Sequence, residues 1–91
     1  MRFDWDHRKE KANIKKHGIS FAEAQDALTC GLVVVLQEDQ SHDEQRFVFL
    51  GMCQKLNVLV VVIAYPDDEL TRIISARKAN KAERKFYETQ L

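Results

Sequence analysis

Eight consecutive apolar residues, Val58 to Tyr65, constrain this chain more than any other feature of its sequence. Side chains of a strand point alternately to its two faces, so a run that is apolar at both parities must be covered on both sides. The segment, Val58–Ile63 above all, is therefore expected to be the central strand of a sheet packed under helices. It is too short to cross a bilayer, which takes about 20 apolar residues, and the other apolar run, Leu32–Leu36, is shorter still. With 91 residues, 45% of them apolar and 31% charged, the chain can fill and coat one core, so residues 1–91 are expected to be a single domain.

What precedes that run has helical spacing. Asp6 is placed to cap a helix ending at His17, and Gly18 supplies the left-handed residue that closes it. Ser20 and Glu23 have capping-box spacing, and Phe21, Ala24, Ala27 and Leu28 repeat along one face of a second helix that ends near Gly31. Beyond Gly31 the pattern becomes strand-like. Leu32–Leu36, Arg46–Met52, Leu56–Tyr65 and Glu69–Ser75 read as strands, the middle pair joined across Cys53, Gln54 and Lys55, the last pair across a turn at Pro66-Asp67-Asp68. Asn80 with Glu83 then caps a final helix whose main buried residue is expected to be Phe86. The expected fold is α+β: two N-terminal helices, a four-stranded antiparallel sheet and a C-terminal helix.

Several function classes lose support at once. No G-x-S-x-G elbow is present, and Gly18, Gly31 and Gly51, the only glycines, make no phosphate-binding loop. Arg2, Asp4, Trp5 and Asp6 do not make a signal peptide. Cys30 and Cys53 are far apart and lack ligand spacing, which argues against a disulfide framework or a zinc site and for a reducing cytoplasm. The zero net charge conceals a segregation. Residues 1–17 hold six Lys/Arg against three Asp/Glu, residues 18–70 two against nine, and residues 71–91 six against two. A fold that joins the two ends would gain a cationic face for phosphates.

Four motifs in order carry a resemblance: FDWD at the start, N-x-x-K-H-G-I-S-F from Asn13 to Phe21, R-I-I-S-A-R-K-A from Arg72 to Ala79, and E-R-x-x-Y from Glu83 to Tyr87. Together they resemble the BrnT family of type II toxin–antitoxin ribonuclease toxins. The resemblance implies a RelE-like fold and cleavage of RNA without a metal or other cofactor, arresting growth. It also implies a BrnA-type ribbon-helix-helix antitoxin, a complex with two copies of each chain, and contact with operator DNA through the antitoxin.

Cleavage of that kind needs a group to take the 2′-hydroxyl proton, a cation to stabilise the crowded phosphorane, and an acid for the leaving 5′-oxygen. Arginine suits the second role, because its planar fork is always charged and matches phosphate oxygens. Arg72, Arg77 and Arg46 are the candidates, although strand alternation need not point Arg72 and Arg77 the same way. His17 is the histidine candidate for acid–base work. Lys9, Lys11 and Lys78 are expected to hold phosphates and Tyr87 to stack on a base. The competing structural roles are an edge-strand charge for Arg72, an ion pair before the last helix for Arg77, a helix end for His17, a core rim for Tyr87 and the cap for Glu83. The alternative function is a small non-catalytic α+β module that binds a protein or nucleic acid with the same basic ends.

Overall fold

The computed structural model describes residues 2–39, 45–52 and 57–91. Its elements run β1 (Arg2–Trp5), α1 (His7–His17), α2 (Phe21–Thr29), β2 (Val33–Asp39), β3 (Gln45–Met52), β4 (Val58–Asp67), β5 (Leu70–Lys78) and α3 (Lys81–Thr89). The sheet has five strands in the order β1-β5-β4-β3-β2. The apolar run does form the middle strand, and it is covered on both faces. On one side α1 and α2 enclose Ile19, Phe21, Ala24 and Ala27 with Leu59, Val61, Ile63, Ile73 and Ala76. On the other, Tyr87 of α3 packs with Leu50, Val58, Val60 and Ala79.

Two expectations about the sheet need correction. It has five strands, not four, and it is mixed: β1 pairs parallel with β5, from Arg2 opposite Leu70 to Trp5 opposite Ile73. The helices therefore follow a strand and do not begin the chain. The turn before β5 falls at Asp68 and Glu69, where Asp67 Oδ1 accepts from the Glu69 and Leu70 N–H groups. The connection across Cys53, Gln54 and Lys55 lies outside the described residues.

The helix ends follow their local chemistry. Asp6 accepts from the Arg8 and Lys9 N–H groups, which hold its carboxyl below the usual range, and Gly18 closes α1 at φ 74°. Ser20 Oγ accepts from the Glu23 N–H, and Asn80 with Glu83 makes a complete capping box. Gly51 has a different task. A Cβ built there would come within 2.4 Å of the Ala27 carbonyl oxygen, so only glycine lets α2 lie this close to β3.

Two further corrections concern side chains. Phe86 is 43% exposed and Tyr87, at 2%, is the buried residue of α3. One step along a helix turns a side chain by about 100°, so the two cannot share the packed face. Cys30 is disulfide-bonded, against the expectation of free thiols, while Cys53 lies outside the described residues.

Candidate functional site

The site is built around β5, and a bulge decides which of its residues face together. Arg77 is opposite Val60, Ser75 opposite Val62 and Arg72 opposite Ala64 on β4, with a register shift between the last two pairs that leaves Ile74 as the extra residue. Without it, five residues of separation would send Arg72 and Arg77 to opposite faces. With it, Arg72, Ser75 and Arg77 share the face that α3 packs on. Arg46 joins them, since its partner on β3–β4 is the same Ala64. Arg46, Ala64 and Arg72 thus form one row, and strand spacing puts the arginine backbones about 10 Å apart across a small alanine. Both arginines therefore start from the same face of the sheet, on either side of Ala64.

The two β5 arginines have different surroundings. Arg72 makes a two-pronged contact with Asp4, Nε to Oδ1 at 3.0 Å and Nη2 to Oδ2 at 3.2 Å, both residues half-exposed. The parallel β1–β5 register, which sets Asp4 opposite Arg72, creates this pair. Arg77 is gripped instead by Glu83, at 2.8 and 2.9 Å, and Glu83 also accepts from the Asn80 N–H. The hydrogen bonds from Arg77 hold the Glu83 carboxyl below its usual range, and those to Glu83 push Arg77 up. Four residues of strand, about 13 Å, separate Arg77 from Arg72, so they serve different points of a ligand. Arg77 thus anchors the start of α3.

A groove approaches this face from the sheet edge. Lys9, Ala12, Asn13, Lys16 and His17 of α1 line it opposite Ile74 and Ser75 of the bulge. Asn13 fixes α1 there: its amide donates to the Ile19 and Ala76 carbonyls, and its Oδ1 accepts from the Ala76 N–H. Ser75 belongs to both the groove and the arginine face, which connects them. The arrangement can hold an extended polyanion, with lysines along the groove, a histidine beside it and two arginines at one end.

The sequence candidates divide accordingly. Arg46 and Arg72 come together, as do Lys9 and His17. Lys11 is exposed but does not line the groove, and Lys78, opposite Leu59, falls on the other face of the sheet from Arg77. Tyr87 is buried with its hydroxyl donating to the Leu32 carbonyl at 2.8 Å, so no face of its ring is open for a base to stack on. Lys16, Ser75 and Asp4 went unread in the sequence. Lys9, Asn13 and Lys16 at i, i+4 and i+7 do mark one helix face, but nothing local marks Asp4 or Ser75. The basic ends do meet at β5, where α1 and the β5 arginines gather, while the α3 cations sit over β3. Among the described residues, no three His, Cys, Asp or Glu converge on a metal position. No helix among them is long and apolar enough to cross a membrane.

A family model described as the ribonuclease toxin BrnT of type II toxin–antitoxin systems matches residues 5–83. The chain belongs to the BrnT family. The crystal structure of the Brucella abortus ribonuclease toxin BrnT superposes with a TM-score of 0.69 at 26% identity, covering 89% of this chain and 99% of that one. No curated protein sequence matches the chain. The matched span runs from the end of β1 through the Glu83 cap, so it includes every β5 residue of the candidate site described above.

Proposed function

We propose that residues 1–91 form one RelE-like endoribonuclease domain that cleaves RNA without a metal and arrests growth as the toxin of a type II pair. Membership of the BrnT ribonuclease family carries this reading; the row Arg46–Ala64–Arg72 gives it a chemistry. The scissile phosphate sits over Ala64, where two guanidinium forks meet the charge that builds on its oxygens as the 2′-oxygen attacks. Asp4 holds the plane of Arg72 from the far side. Lys9 and Lys16 bind the flanking phosphates along the groove, and His17 is the group there suited to moving the proton. Arg77 supports the site through the α3 cap.

The partner is a BrnA-type antitoxin whose acidic segment covers the cationic groove and orders on binding. Its ribbon-helix-helix dimer brings two toxins into a complex of two copies of each chain, and supplies the contacts to operator DNA. The site of action is the cytoplasm. Purified chain incubated with a long RNA in EDTA tests the reading. Cleavage should persist, and cleavage that appears only on adding magnesium would contradict it. Co-expression with the adjacent reading frame should yield a complex whose mass fits two of each chain.

A further inference from the structure

Among the described residues, the outer edge of β2 is an open edge of the sheet. No described strand pairs with it, for β2 ends the sheet. Natural edge strands are kept from pairing by lysines, prolines, shortness or cover. Val33–Asp39 contains no lysine, arginine or proline, and it is seven residues long. Val35 is 54% exposed and Leu36 37%, with Leu32 just ahead of the strand at 39%. Among the described residues, the devices that guard it are a bulge between Val35 and Gln37 and the acidic pair Glu38 and Asp39 at its far end. Leu36 is the extra residue of that bulge, which bends the polar end, Gln37 to Asp39, away from the line of the first half and leaves Val33–Val35 as the regular edge, flanked by Leu32 and Leu36.

We infer that this edge pairs with the same edge of a second copy of the chain, antiparallel, about a two-fold axis at Val34. The sequence of the segment favours this occupant over a foreign strand. Leu32-Val33-Val34-Val35-Leu36 reads the same in both directions. An antiparallel two-fold at Val34 therefore sets Leu32 against Leu36, Val33 against Val35 and Val34 against itself. Each pair is apolar, and β-branched and aliphatic cross-strand pairs are the favourable ones. Charge agrees with that choice. Glu38 is opposite position 30 and Asp39 opposite position 29 in this register, so the acidic ends of the two copies lie at opposite ends of the ladder. Parallel pairing would stack those acids on their counterparts. The product is a ten-stranded sheet with the β1 strands, and beside them the β5 sites, at its far ends. The inference needs neither the antitoxin nor RNA cleavage, so it stands or falls separately from the proposed activity.

Sedimentation of the purified chain across a wide concentration range tests it, together with amide exchange in dilute and concentrated samples. The mass should rise to that of two chains, and the amides that gain protection should be those of residues 32–36. Val35→Lys should remain a monomer, with the circular dichroism of the parent and the melting of the parent at dilutions where it is monomeric. Ile14→Lys changes another exposed apolar residue, on α1, and should leave the dimer intact. A parent that stays monomeric overturns the inference, as does a Val35→Lys protein that still dimerises. Concentration-dependent protection that appears elsewhere, with residues 32–36 unchanged, overturns it without recourse to any variant.

Discussion

At one edge of the sheet β1 covers the first half of β5 and stops at Trp5; the chain then turns at Asp6 into α1, and Asn13 occupies the edge beyond. At the other edge β2 ends the sheet with three exposed aliphatic side chains in or beside it. Both edges pose the same problem of an open ladder. The first is answered with a four-residue strand carrying Arg2 and Asp4, and with a side-chain amide that bonds the Ala76 N–H and carbonyl as a neighbouring strand would. The second has a bulge and an acidic end, Glu38 and Asp39, among the described residues. The difference tracks function. Polar groups that close the β5 edge are also the ones that position cations: Asp4 holds Arg72, and Asn13 holds the helix that presents Lys9, Lys16 and His17. The β2 edge has no such work and stays apolar.

The comparison breaks first at Asn13. Replacing it with alanine leaves a buried N–H and two carbonyls without the amide, which should cost about 2–4 kcal/mol. For a domain of this size that lowers the melting temperature by roughly 10–25 °C. A calorimetric loss of only a degree or two would mean that α1 is held to β5 by other contacts. Glu83→Gln is the next largest. It keeps an acceptor but loses the charged fork to half-exposed Arg77, so about 1 kcal/mol is expected.

That substitution also has a pH signature. The folded-state carboxyl of Glu83 lies below its ordinary value of 4.5. Its contribution is thus complete above that value and is lost as the pH falls through the lower, folded one. The parent should lose stability on acidification more steeply than Glu83→Gln, in denaturant melts taken below about pH 4.5. Parallel acid limbs would dissociate the ion pair from stability.

Lys16→Ala sharpens the comparison from the functional side. Loss of one phosphate contact should weaken RNA binding a few-fold and reduce the slope of log K against log salt by about 0.7. Lys11→Ala, outside the groove, should leave that slope unchanged. The smallest stability effect is expected at the opposite edge, where Val35→Lys should move the unfolding free energy by no more than about 0.5 kcal/mol. A larger loss there would mean that the β2 edge contributes to the fold of the single chain.

Much of this was written locally. The caps at Asp6, Ser20 and Asn80, the closing glycine at position 18 and the central apolar strand follow from residues within a turn or two of one another. What was hidden depends on distant pairing. β1 is four residues long and meets β5 some 68 positions later, so no window of sequence contains both. The bulge at Ile74 has no glycine or proline to announce it, yet it alone turns Arg72 and Arg77 to one face. The choice between Phe86 and Tyr87 rests on the rotation of α3, which the Asn80–Glu83 cap fixes only once the end of β5 is known. Composition gave the cationic ends, but only the parallel strand showed that Arg72 meets Asp4.

We propose that Arg72, set beside Arg46 by the sheet and held by Asp4, stabilises the transition state of RNA cleavage. Initial rates on one long RNA in EDTA, for the parent, Arg72→Ala and Arg72→Lys, test it directly, with melting curves for all three. Both variants should fold, since a half-exposed ion pair contributes under about 1 kcal/mol. Both should cleave about 10²–10³ times more slowly, because lysine keeps the charge but cannot grip two phosphate oxygens at once. Parental rates in both folded variants would contradict the claim and leave Arg72 as a charge that guards an edge.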